Sequence, residues 1–149
     1  MRTTRILTFL AVVAAGLAAS AAPAMAQPTV LFTRLSGAAV PGGGDPNGSG
    51  FGLVLVDDET NQVCAAVIVL GVDGLHGAHV HYGSEGEVGG HAVDLADPVH
   101  GFSYSCHTAS EAVVDQLIAN PAGFYLNVHS HEFPGGAVRG QLASIVPAT

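Results

Sequence analysis

Short apolar runs rich in valine, leucine and phenylalanine recur along the chain, separated by clusters of glycine, proline, aspartate and asparagine. Runs of that length, bounded by turn residues, read as β-strands. The pattern predicts strands at Thr29–Leu35, Phe51–Val56, Val63–Val69, Gly77–Tyr82, His91–Leu95, Phe124–Ser130 and Ala137–Ile145. Asp57 to Asn61 reads as a hairpin turn, and Pro41–Gly50 and Gly83–Gly90 as loops whose residues resist regular structure. One segment departs from the β pattern. Thr108 with Glu111 has the spacing of a capping box, and Ala112, Val113, Leu117 and Ile118 form an apolar stripe, so a helix is expected over 109–119. Asn120-Pro121 and Gly123 would stop it. Six or seven short strands, no internal repeat and no second domain together predict an all-β, antiparallel β-sandwich with one short helix.

The first 26 residues change how the composition is read. Arg2 and Arg5 precede a nearly uninterrupted apolar stretch from Ile6 to Ala22, and Ala24-Met25-Ala26 is a small-x-small cleavage site. This predicts a signal peptide over 1–26, cleaved after Ala26, and a secreted or periplasmic domain over 27–149. A membrane anchor would need a longer apolar core, and no later run is long enough to span a bilayer. Of the charged residues, two arginines (Arg34 and Arg139) and all twelve carboxylates follow Gln27, a net charge of −10 with neutral histidines. Such a surface repels phosphate backbones, which excludes nucleic acid as a partner. Two cysteines, Cys64 and Cys106, in an oxidising compartment predict one disulfide. A pair of thiolate metal ligands is the competing reading, and no CxxC spacing supports it.

The candidate chemistry lies in two histidine pairs, His79-Val80-His81 and His129-Ser130-His131, with Arg139 following the second. On a strand, residues i and i+2 share a face, so two imidazoles at that spacing can turn toward one ion. His79, His81, His129 and His131 are therefore the candidate metal ligands, for copper or, as the alternative, zinc. Asn127 shares the face of His129 and is placed to orient it. The competing account is structural: half-buried histidines bonded to backbone, and Arg139 holding a carboxylate or loop carbonyls through its rigid fork. His76, His100 and His107 read as plain surface histidines near turns. Ser103, Ser105 and Ser110 lack a nucleophile elbow, and Glu85 and Glu87 sit in a glycine-rich loop with nothing to raise a pKa, so no catalytic constellation emerges.

Three segments together, Ala78-His79-Val80-His81-Tyr82-Gly83, Tyr125-Leu126-Asn127-Val128-His129 and Pro134-Gly135-Gly136-Ala137-Val138-Arg139-Gly140-Gln141-Leu142, closely resemble the chordin-domain (CHRD) family. The resemblance runs from Leu31 to about Ile145 and implies a stand-alone exported domain of the bacterial type. A fainter similarity joins the chain to the copper/zinc superoxide dismutases. These also place two copper ligands on an H-V-H strand, another on a late V-H strand, and a substrate-guiding arginine downstream. It implies an immunoglobulin- or superoxide-dismutase-like Greek-key arrangement, and an anion-guiding role for Arg139. The zinc-binding loop is missing, and His91 is the one candidate for a bridging histidine. The resulting expectation is an exported domain that binds a copper-type ion. The alternatives are a non-enzymatic binding or structural module with an extracytoplasmic protein partner, and a superoxide-dismutase-like activity; whether the chain is an enzyme stays open.

Overall fold

The computed structural model describes residues 27–145. The expected signal peptide lies outside the described residues. Among the described residues nine strands form one antiparallel sheet: β1 (Thr29–Ser36), β2 (Ser49–Asp57), β3 (Gln62–Leu70), β4 (Leu75–Tyr82), β5 (His91–Leu95), β6 (Phe102–Thr108), β7 (Phe124–Ser130), β8 (Val138–Gln141) and β9 (Ala143–Ser144). Their order is β5-β4-β7-β8-β1-β2-β3-β6, with β9 also pairing β1. The all-β antiparallel expectation holds. The strands bond as one continuous series, however, because β1 is paired on both sides and carries the ladder from β8 to β2. The series curls until its two edges meet, where the Ala96 amide on the chain leaving β5 donates to Ser105 Oγ on β6 (2.9 Å). The result is a nearly closed barrel.

Alternation sets the inside. Leu31, Val54, Val56, Val63, Val67, Val80, Leu126, Val128 and Val138 point inward and are fully buried. Burying each aliphatic side chain contributes roughly 1.5–3 kcal/mol against the entropy of ordering the chain. Helix α1 (Glu111–Ala119) adds Val113, Val114 and Leu117 to the same core. Its start differs from the expectation. Ser110 is the N-cap and accepts from the Val113 amide, whereas Thr108 is held in β6 by pairing with Gln62. The sheet ladder continues past the point where a local capping signal would have begun the helix.

Strand β6 escaped the sequence pattern because its alternation is inverted. Phe102 and Tyr104 face solvent, and the small Ser103 is buried. Here the disulfide Cys64–Cys106 joins directly opposed residues of β3 and β6. The bond closes a long loop, with a sequence separation of 42. Replacing both cysteines by alanine is expected to cost about 3–4 kcal/mol by the chain-entropy argument. That is a fall of roughly 10–20 °C in melting midpoint for a domain of this size; an unchanged midpoint would show that the sheet edge needs no staple. Among the described residues no helix is long and apolar enough to cross a membrane.

Candidate metal centre

Since Ala78, Val80, Leu126 and Val128 point into the core, their neighbours His79, His81, Tyr125, Asn127 and His129 lie on the outer face of β4 and β7. Two bulges enlarge this polar face. On β4, Gly77 is left without a partner between the His76–His129 and Ala78–Val128 pairs, with φ +71. That left-handed conformation favours glycine, and the extra residue brings His76 to the same side as His79. At the other bulge the register of β4 and β5 shifts, so that His81 faces His91 although His79 faces Asp94. The shift turns His91 onto the face of Asp94, where strict alternation would have sent it to the other side.

His79, His81 and His91 each offer a nitrogen, and the three nitrogens lie within 4.8 Å of one another. The rings of His79 and His91 stack with centroids 3.9 Å apart, and His81 meets each of them edge-on at 5.6 and 4.5 Å. His129 is the next ring out, 5.1 Å from His79 and 6.2 Å from His81. His131 is not brought to this group. It is exposed and lies against His76 at 4.7 Å, because the chain leaves β7 after Ser130 and carries its ring toward the β3–β4 turn. His76 is thereby part of the histidine face, not an isolated surface ring; His100 is exposed, and the half-buried His107 lies on β6, away from the site.

Hydrogen bonds to fixed acceptors decide which nitrogen of each ring is free. A carbonyl can only accept, so His81 Nδ1 donates to Gly89 O (2.9 Å) and His129 Nδ1 to Pro134 O (2.8 Å). His91 Nδ1 lies 2.9 Å from Asp94 Oδ1, and the same oxygen is 3.8 Å from His79 Nε2. A carboxylate behind an imidazole fixes its tautomer and raises its basicity as a ligand. The opposite nitrogen of His81 is then unprotonated. His129 differs: Asn127 Nδ2 approaches its Nε2 at 3.4 Å, while also donating to Gly135 O at 3.2 Å. Most telling, His79 Nδ1 and His81 Nε2 are buried and have no hydrogen-bond partner. Each such orphan costs about 1–3 kcal/mol unless something binds it.

The 83–90 loop is held over the face. Arg139, only 3% exposed, donates from Nη2 to Ser84 O (2.9 Å) and from Nη1 to Glu87 O. Its guanidinium lies 3.4 Å from the centroid of Tyr125, whose ring also stacks on His81 at 4.9 Å. Gln141 Nε2 donates to Gly83 O (2.6 Å), and Gly89 N donates to Tyr125 Oη (3.2 Å). The closing motif that carries Arg139 and Gln141 therefore pins the 83–90 loop, which in turn holds His81.

Burial is the main reason that His79 is pushed down to about 4, with His91, His129 and His81 adding to the effect against Asp94. Burial also lowers His81 and His129, opposed in part by their bonds to Gly89 and Pro134. All three rings are neutral near pH 7 and hold lone pairs ready for a metal. In the unfolded chain a histidine protonates near its ordinary value of 6.5. Between that pH and about 4 the unfolded chain binds more protons than the folded protein, so stability is full above the window and falls on acidification through it. The metal-free protein is expected to melt at progressively lower temperature from pH 6.5 to 4. The slope should be shallower in His79→Ala; parallel slopes for the two proteins would contradict the depressed His79.

The sequence pattern alone gave His79, His81 and His129 but missed Asp94 and the full role of His91. A histidine three residues before an aspartate on a short strand beside an H-V-H strand is the signal that was present. The family model described as the CHRD domain matches residues 31–142, well over half of the chain, while no curated protein and no solved structure matches significantly.

Proposed function

Because the chain belongs to the CHRD domain family, we propose that it is an exported, extracytoplasmic domain that binds one copper-type ion through His79, His81 and His91. His129 is the fourth ring, released when Asn127 lets go of its Nε2. The observation that carries this reading is the pair of buried, unpartnered nitrogens on His79 and His81 beside a third imidazole. A closed hydrogen-bond network would have satisfied them; a metal ion does so with the lone pairs they present. Neutral imidazoles suit Cu(II), Cu(I) and Zn(II), and the usual affinity order puts Cu(II) above Zn(II). Arg139 is read as structural: it is buried, its guanidinium lies over Tyr125, and its Nη1 and Nη2 donate to the Glu87 and Ser84 carbonyls of the 83–90 loop. An anion-guiding role, and with it dismutase-like chemistry, is not carried forward.

A second reading, a protein-binding module, is favoured by one separate observation. Phe32, Phe51, Leu53 and Ile68 line an exposed apolar hollow on the outer face of β1, β2 and β3, far along the sheet order from the histidines. The two readings differ in calorimetry. The metal-stripped protein, titrated in separate runs with Cu(II) and with Zn(II), is expected to bind one tight equivalent in each, Cu(II) the tighter. It should also melt higher with the metal bound, as any ligand that favours the native state requires. Heats no larger than dilution, with an unchanged melt, would leave only the second reading.

A further inference from the structure

The outer face of β4 and β7 carries more imidazoles than the centre uses. His131 is exposed, and its backbone amide donates to Gly74 O (3.1 Å), which fixes it against the β3–β4 turn. Its ring lies 4.7 Å from that of His76; His76 lies 6.5 Å from His129, and His129 lies 5.1 Å from His79. The rings thus form an unbroken file from an exposed loop to the three-imidazole group.

These separations have a chemical meaning. With metal–nitrogen bonds of about 2.0–2.1 Å, two rings sharing one ion have centroids roughly 4.5 Å apart at a right-angled bite and about 6.4 Å apart when linear. Every step of the file falls within or next to that range. We infer that His76 and His131 form a second, outer metal site, which takes a copper or zinc ion from solution and passes it through His129 to His79, His81 and His91. The inference rests on the reading of the inner centre given above. At each step one nitrogen–metal bond forms as another breaks, and neither the charge nor the oxidation state of the ion changes.

Two features give the transfer a direction. Asp73 and Glu132 flank Gly74 and His131 in sequence, and with Asp45 they line an open hollow of about 220 Å³. Carboxylates there raise the cation concentration at the outer end. Two imidazoles, the exposed His131 and the half-buried His76, hold an ion loosely, whereas three converging ones with carboxylate support hold it firmly, so the ion moves inward down the affinity gradient. The Gly77 bulge is what places His76 on this face; without it the file would break between His131 and His129.

The test uses Cu(II) supplied as its bis-glycinate chelate and follows uptake by stopped-flow absorbance and at equilibrium. Four proteins are compared: wild type, His76→Gln/His131→Gln, His79→Ala/His81→Ala, and all four replacements together. Melting curves first confirm that each is folded. The His76→Gln/His131→Gln protein is expected to bind as tightly at equilibrium as wild type but to fill at least tenfold more slowly. His79→Ala/His81→Ala should keep one weak equivalent, and the fourfold variant should lose it. Equal filling rates, or a weak equivalent that survives in the fourfold variant, would overturn the outer site while leaving the inner one standing. Absence of Cu(II) uptake by wild type would instead sink the inner centre and the transfer together.

Discussion

Replacing His79 and His81 together by alanine is expected to weaken Cu(II) and Zn(II) binding by more than about 100-fold while changing the stability of the metal-free protein by no more than about 1 kcal/mol. The first figure follows because even outer partners of metal ligands cost 10–100-fold when removed, and these two are the ligands themselves. The second follows from the orphaned nitrogens. His79 Nδ1 and His81 Nε2 are buried without partners, so the truncation removes two unfavourable groups. Against this stand the His81 bond to Gly89 and its stacking on Tyr125, which are lost. The two contributions are of similar size and nearly cancel. Histidines that served only the sheet would give the opposite pair of results: a clear fall in melting temperature and metal binding no different from the parent.

Gly140→Ala should leave little folded protein, a loss of about 5 kcal/mol, at the top of the range for single substitutions. At Gly140 a methyl group would overlap the Arg34 carbonyl and the Thr33 hydroxyl of β1, and the carbonyl is backbone that cannot swing away. This is where β8 meets β1 and the sheet passes from its histidine half to its apolar half. Forcing the strands apart there also displaces Arg139 and Gln141, whose side chains pin the 83–90 loop. Urea denaturation would measure the effect. A midpoint within reach of the parent would mean that β1 and β8 can separate at little cost, and that the closing motif keeps its glycine for another reason.

How legible this was depends on which signal each element carries. Strands β2 and β7 stand out as apolar, aromatic-containing runs, although burial alternates only along β2 and nearly all of β7 is buried. Strand β6 was invisible because its aromatic residues face outward and its serines inward. The final predicted strand is broken at Leu142 into β8 and β9, since β9 leaves β8 to pair with β1. Among the site residues, His79 and His81 were readable because i and i+2 share a face on any strand. His91 is legible only as a candidate bridging histidine through the fainter resemblance, and His76 only as a surface ring, because each reaches the face through a bulge, and a one-residue shift reverses side-chain direction without a strong trace in sequence. His131 lies apart from the three-imidazole group for the complementary reason. It lies one residue past the end of β7, where the strand face to which the i+2 rule applies no longer exists. Asp94 carries only the weak signal of a histidine three residues before it on a short strand; the register with His79 shows what it supports.

The most direct test is nitrogen-resolved NMR of the histidine side chains during titration of the metal-free protein with Zn(II). The account predicts that Nδ1 of His79 and Nε2 of His81 and His91 move together and saturate at one equivalent, while His100 and His107 stay in place. Movement confined to exposed rings such as His100, with those three nitrogens unchanged, would contradict it.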